Sequence, residues 1–211
     1  MASTRLRERQ KQQTRELIAA TAARLFAEHG YENVAVLDIA RAAEVSEQTV
    51  YNHFPTKERL VLDNDEELRD QLVQAIRNRP ARTSPAAAIR EHALAWIDGF
   101  ATLPAEHVRG GLGHLAARSP AVRRLSLEMT DRHADAIAAA LAEDVAEPAV
   151  AKLHAIALAW VFQTITDETG RRTAQGISPR RSAHELHPVV EAMIDTLDRW
   201  YLDTSAGATR S

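Results

Sequence analysis

The sequence predicts an all-α protein: an N-terminal three-helix unit containing a helix-turn-helix, followed by a longer helical unit. Three observations carry this. Of 211 residues, 45% are hydrophobic but only 5% aromatic, and Ala and Leu, both strong helix formers, are abundant. Apolar residues recur three and four apart in most of the chain, whereas few stretches alternate apolar with polar as a half-buried strand would, so no sheet is expected. Ser-Pro and Glu-Pro pairs at Ser119-Pro120, Glu147-Pro148 and Ser178-Pro179 match helix starts, with a capping side chain followed by proline in the first turn. The length allows one large domain or two small ones, with a sizeable core either way.

In chain order, the first helix is expected over Lys11–His29, with Leu17, Ile18, Ala22, Leu25 and Phe26 on its inner face and Gly30 ending it. A second covers Val36–Ala43. Ser46 is the natural N-cap of a third, Glu47–Phe54, because its hydroxyl can accept a free backbone N–H. Thr56 is expected to cap a fourth, Lys57–Asn78, which buries Leu60, Val61, Leu68, Leu72, Val73 and Ile76. The run Pro80–Pro85 breaks the pattern. Helical segments then follow over Ala86–Leu103, Pro104–Arg118, Ser119–Glu143 and Pro148–Thr169. A polar, Gly-containing connection covers Thr169–Ser178, and a last segment ends near Leu202 with a disordered tail from Asp203. The domain expectation is residues 1–60 and 61–211.

The stretch Leu37–Lys57, LDIARAAEVSEQTVYNHFPTK, says most about function. Val50 and Phe54 are four apart and share one helix face. They turn Gln48 and Asn52 outward, with Thr49 and Tyr51 on the flanks. A short helix with a polar, hydrogen-bonding outer face suits the major groove of DNA, where base edges present donors and acceptors. The opening helix TRELIAATAARLFAEHGYENV, then DIA, the turn EVS, and TVYNHFPTKERL together resemble the DNA-binding domain of the tetracycline-repressor (TetR) family over residues ~10–60. Beyond residue ~80 only the helical character and total length match.

The resemblance implies double-stranded operator DNA as a partner. Tyr51, His53, Lys57 and Thr49 fall at its phosphate-contacting positions, and Gln48 and Asn52 at positions able to pair with adenine edges. Glu47 suits the positive end of its helix. Two departures stand out. Glu44 occupies the turn position where the family usually has glycine, and Ala35-Val36 stands where the family often has a capping Thr.

Charge is uneven. Net charge is −3, but residues 1–24 carry six basic groups against two acidic ones, while residues 25–60 carry three against six. The electrostatic footprint for a polyanion therefore lies in the N-terminal arm. Cysteine is absent, so neither a disulfide nor a thiolate site is expected. The start MASTRLRERQKQQTRE has no apolar h-region, and no run of about 18 apolar residues is evident. A cytoplasmic protein with no membrane partner is expected. Nine histidines are scattered. His184 and His187 sit three apart with Pro188 following, and no HExxH pattern supports a metal site. No nucleophile–base arrangement or phosphate-cradling glycine loop points to catalysis, and no cofactor is expected.

Ala149–Thr166 is apolar almost all round, and Val189, Val190, Met193, Ile194, Leu197, Trp200 and Tyr201 form a broad stripe. A helix apolar on every side must be covered on every side. Either the protein's own core covers it or, as the resemblance implies, a second copy does, in a homodimer matched to a palindromic operator. The family also places an effector pocket among the middle helices. Trp96, Phe100, His114, Leu115, Met129, His133, Trp160, Gln163 and Thr164 are its candidate lining, suited to a largely apolar small molecule. The functional expectation is a ligand-responsive transcriptional regulator, most simply a repressor. The alternative is a binding or adaptor protein on the same scaffold that has lost DNA binding.

Overall fold

A computed structural model describes residues 2–62, 65–142, 145 and 147–208. The helices are α1 (Ala2–His29), α2 (Val36–Ala42), α3 (Glu47–His53), α4 (Asp65–Arg77), α5 (Pro85–Thr102), α6 (Ala105–Gly110), α7 (Leu112–Ala116), α8 (Pro120–Leu141), α9 (Pro148–Ala174) and α10 (Pro179–Ala208), with a 3-10 turn at Glu58–Leu60. No strand occurs among the described residues.

Two cores hold these helices together. The first gathers Ile18, Ala22 and Phe26 of α1, Ile39 of α2, Val50 and Phe54 of the α3 region, and Leu60. It also takes in Leu115 and Ala116 of α7 and Val122 of α8, so the N-terminal helices are seated on the rest of the chain. The second packs Leu72 and Ile76 of α4, Ile89 and Ile97 of α5, Ile137 and Leu141 of α8, Phe162 and Ile165 of α9, and Ile194 of α10. Burying each such side chain contributes about 1.5–3 kcal/mol.

The helix starts behave as their residues dictate. The hydroxyls of Ser46, Ser84 and Ser119 accept from the backbone N–H of Thr49, Ala87 and Val122. The Glu147 carboxylate accepts from Ala149 N–H. At α2, where a capping Thr is missing, the Asp38 carboxylate instead accepts the backbone N–H of Ala35 at 2.9 Å, so that helix has a defined start.

Five boundaries differ from the sequence expectation. The first helix begins at Ala2 instead of Lys11, because Arg, Gln, Glu, Lys and Leu all favour helix even where no face is buried. The expected helix from Lys57 is broken: Lys57 precedes a 3-10 turn without a side-chain cap from Thr56, and α4 starts at Asp65, whose N–H bonds Leu62 O. Its acidic first turn, Asp65, Glu66 and Glu67, favours that start. The segment Pro104–Arg118 divides into α6 and α7 at Gly111, which is extended (φ −82°, ψ 162°). The helix expected to stop at Thr169 runs on to Ala174. It ends in a Schellman cap, with Ile177 N–H bonding Arg172 O, Gly176 N–H bonding Thr173 O, and Gly176 at φ +74°. Finally, α10 passes through Pro188 and continues past Leu202 to Ala208, so the described part of the expected tail is helical. Glu143, the expected end of the segment from Ser119, lies outside the described residues, as do Asp63, Asn64 and the last three residues.

The α9 helix departs from expectation in its composition too. By length and composition it is apolar enough to cross a membrane, but 56% of the qualifying stretch is buried inside the fold, as a core helix requires.

Glycines set two of the closest crossings. A Cβ on Gly110 of α6 would lie 2.0 Å from Ala23 O of α1, and a Cβ on Gly170 of α9 would lie 2.0 Å from Gly113 O of α7. The short α6–α7 segment is thus pressed against α1 on one side and α9 on the other.

Candidate functional site

The turn between α2 and α3 is closed by backbone bonds from Glu44 N–H to Arg41 O and from Val45 N–H to Ala40 O. Glu44 adopts φ +55°. A non-glycine residue there costs about 1–2 kcal/mol. Ala40, 2% exposed, sits under the turn where α2 meets α3. Glu44→Gly should therefore leave stability unchanged or raise it by up to about 1 kcal/mol, relief of strain being offset by glycine's unfolded-state entropy. Equilibrium denaturation of the two proteins measures this, and a loss above about 1 kcal/mol would show that the Glu44 side chain has a stabilising role.

α3 is anchored by Val50 and Phe54, exposed by 0% and 1%. Its opposite face carries Gln48 and Asn52, both exposed, and Gln48 Nε2 donates to Asn52 Oδ1 at 3.0 Å. This bond ties the two amides together and leaves the Gln48 carbonyl and the Asn52 amide free to meet a base edge, one acceptor beside one donor. Thr49 is half-buried, its hydroxyl 2.7 Å from that of Ser46. Tyr51 is 42% exposed on the flank.

His53 and Lys57 face the protein more than solvent. Burial, then the charges of Lys11 and Arg15, lowers the His53 pKa, so its ring is neutral near pH 7. The Lys57 ammonium donates to Tyr31 O at 2.5 Å and lies 4.1 Å from the Tyr31 ring centroid, while burial lowers its pKa. The Tyr31 hydroxyl, pushed up to about 12 by burial and the nearby Glu58 carboxylate, is neutral. Lys57 thus ties the end of α1 to the segment after α3.

Arg15 is a residue the sequence pattern did not single out as part of the site. Its guanidinium donates to His53 O at 2.7 Å, at the C-terminal end of α3, and lies 4.4 Å from the Phe54 ring centroid. It fixes the end of the helix that carries Gln48 and Asn52. The sequence signal was its place four residues after Lys11 on one face of α1.

The nine effector candidates do not converge. Trp160 and Thr164 line an apolar groove of about 660 Å³ between α9 and α10, together with Val161, Pro188, Val189 and Met193. Trp96 on α5 is 39% exposed, and Phe100 is half-buried. Leu115 belongs to the N-terminal core. His114 is buried beside it on α7, with Nδ1 lacking a hydrogen-bond partner among the described residues. Burial first, then Arg118 and Arg109, lowers the His114 pKa. Met129 is buried on α8. Gln163 is fully buried, and its carbonyl accepts from Ser126 at 2.9 Å and Thr130 at 2.6 Å. His133 is committed to Asp65, its Nε2–H donating to Oδ1 at 2.6 Å.

Comparison with known proteins agrees with this arrangement. The family model "Bacterial regulatory proteins, tetR family" matches residues 18–63, the stretch from the buried part of α1 to just past the 3-10 turn. The HTH-type transcriptional regulator TcmR of Streptomyces glaucescens is 32% identical over 142 residues. That match covers 64% of this chain and 63% of TcmR, so the chain spans less than two thirds of that relative's length. Among solved structures, NalD of Pseudomonas aeruginosa, the secondary repressor of the MexAB-OprM multidrug efflux pump, shares the fold at a TM-score of 0.57 and 20% identity, covering 86% of this chain and 97% of NalD. A complex of SmeT with triclosan has a TM-score of 0.57 and 18% identity, covering 85% of this chain and 90% of that one. Residues 18–63 thus match the tetR family of bacterial regulatory proteins, and the all-helical frame that carries them is a fold shared with NalD and SmeT.

Proposed function

We propose that this protein is a ligand-responsive, DNA-binding transcriptional regulator, acting as a cytoplasmic homodimer on a palindromic operator and most simply as a repressor. The observation that carries the reading is the linked, exposed Gln48–Asn52 amide pair on a helix whose other face is locked by Val50 and Phe54. Residues 1–60 supply the DNA reader, and residues 61–211 supply dimerisation and effector binding. Glu44 does not argue for a scaffold that has lost DNA binding, since the turn is closed by its backbone bonds.

The dimer reading rests on the face shared by α9 and α10. Leu153 and Ile156, 54% and 36% exposed, lie on the same face of α9 as Trp160, and Trp160 (41%) and Val189 (47%) line the apolar groove. A contiguous apolar patch of this kind marks an association surface. Two copies related by a two-fold axis would present two α3 helices to the two halves of a palindrome. For the effector, a largely apolar small molecule, the support is the resemblance to the family, because the candidate lining residues do not converge on one cavity. SmeT, which shares the fold, is known with triclosan bound.

The test titrates the full chain against duplex DNA from beside its own gene and counts chains per site by sedimentation. Two chains per duplex are expected. Gln48→Ala should cost about 1–3 kcal/mol per half-site and relax preference at one base pair, while binding to random DNA changes little. Equal weakening of both DNAs would remove Gln48 from base reading. Absence of binding to any duplex would overturn the proposed function.

A further inference from the structure

The helix-turn-helix carries little positive charge for a DNA reader, since residues 25–60 hold three basic groups against six acidic. The missing charge sits in α1, ahead of its buried part. α1 first becomes fully buried at Ile18, and residues 6–13 are exposed throughout. From this exposed stretch into the half-buried turn that follows it, Arg7, Lys11 and Arg15 are spaced i, i+4, i+8 and so form one stripe along the helix. The inner end of the stripe is fixed, because Arg15 bonds the carbonyl of His53 at the end of α3. Lys11 is near enough to that end for its charge to lower the His53 pKa. At 1.5 Å per residue, Arg7 lies about 12 Å further out along α1. The stripe therefore starts where the base-reading helix stops and carries positive charge away from it.

We propose that the exposed N-terminal turns of α1 are a second DNA-binding element, with Arg7 and Lys11 holding phosphates of the duplex backbone beside the segment that α3 enters. The occupant is DNA because the stripe is continuous with the proposed DNA face and is charge-complementary to phosphate. The inference rests on the DNA-binding reading. It assigns the positive charge that reading requires to the helix extension rather than to the helix-turn-helix. Phosphate contacts position the protein and carry no sequence information, so the element adds affinity and salt dependence but no base preference.

The test uses the full chain, the double variant Arg7→Gln/Lys11→Gln, and a charge-matched control, Arg180→Gln/Arg181→Gln, at the exposed start of α10. Glutamine keeps the helix propensity at all four positions. Affinity for DNA from beside its own gene and for random duplex is measured over a salt series. The α1 variant should lose about tenfold or more on both DNAs at low salt, flatten the salt slope by up to about two units per chain, and keep its base preference. The control should change neither slope nor affinity appreciably. An unchanged slope in the α1 variant, or an equal change in the control, overturns the inference while leaving the DNA-binding reading intact. Failure of the unaltered chain to bind any duplex overturns both.

Discussion

Gly110→Ala should destabilise this protein more than any other single-methyl change except Gly170→Ala. The added Cβ at position 110 would stand 2.0 Å from Ala23 O, 2.4 Å from Ala23 C and 2.7 Å from Ala23 Cα. These are backbone atoms in the C-terminal third of α1, beside Ala22 and Phe26, which are themselves buried. No rotamer change can relieve the clash. Either α6 lifts from α1 or α1 shifts within its core. Overpacking costs about 1–3 kcal/mol where side chains can adjust, so a rigid crossing should reach roughly 3 kcal/mol or more. For a chain of this length that lowers Tm by roughly 6–12 °C.

Gly170→Ala meets Gly113 O at 2.0 Å and should behave alike. The control is Gly99→Ala in α5, where an added Cβ meets nothing among the described residues within 4 Å. Replacing that helical glycine should stabilise by roughly 1 kcal/mol. Thermal unfolding of the three variants would check the set. If Gly110→Ala melts with Gly99→Ala, the α1–α6 crossing is looser than the backbone places it.

Those same glycines show where the sequence stops being readable. Gly170 in Thr169–Ser178 reads as a helix breaker, because a glycine in a polar stretch usually is one. It is instead a point of closest approach, and the residue that requires it, Gly113, is far away along the chain. No local pattern contains that information. The helix-turn-helix, by contrast, is local. Ser46 caps α3, Val50 and Phe54 define its inner face, and Gln48 and Asn52 are exposed as a consequence of the helical period. Glu44 stood out only through the resemblance, which puts glycine at this turn position; the sequence left its conformation open, and the backbone there is left-handed at φ +55°.

The start of α4 was legible in principle. The acidic cluster at Asp65, Glu66 and Glu67 is a stronger helix start than Thr56, but apolar periodicity running on from Leu60 masked it. The effector candidates were chosen by residue type at core-like positions, and type does not say which neighbour a side chain meets. Trp96 and Trp160 turn to the surface, Leu115 joins the other core, and Gln163 is satisfied by Ser126 and Thr130. Each outcome is set by a helix distant in sequence.

The other large effect is expected at Asp65, the first residue of α4. Its side chain is 4% exposed and that of His133 1% exposed. Buried carboxylates persist only with partners, and Asp65 has several. His133 Nε2–H donates to Oδ1 at 2.6 Å, Arg132 donates to Oδ2 at 2.9 Å, and Arg59 Nη1 lies 3.8 Å from Oδ2. The cluster joins three places: the 3-10 turn after α3 through Arg59, the start of α4, and the middle of α8. Asp65→Ala would leave His133 buried without its acceptor, and removing one member of a buried pair costs roughly 3–5 kcal/mol. Asp65→Asn keeps the shape but loses the charge and should fall between.

The pH dependence separates charge from shape. Burial alone would raise the Asp65 pKa, but the hydrogen bonds and charges of His133 and Arg132 outweigh it and hold the carboxyl below its ordinary value. Above about pH 3.9 the carboxyl is ionised in both folded and unfolded chains, and its stabilisation is fully present. As pH falls through that value the unfolded chain takes up the proton first, and the stabilisation is lost progressively until the folded carboxyl is protonated too. The stability gap between the natural protein and Asp65→Asn should therefore be constant from about pH 7 to about pH 5 and shrink towards about pH 3. Urea denaturation of both proteins across that range measures it. A gap that stays constant down to about pH 3 would mean that the Asp65 contribution comes from packing rather than from its charge, and the Arg59–Asp65–His133 connection between the DNA reader and α8 would then be steric.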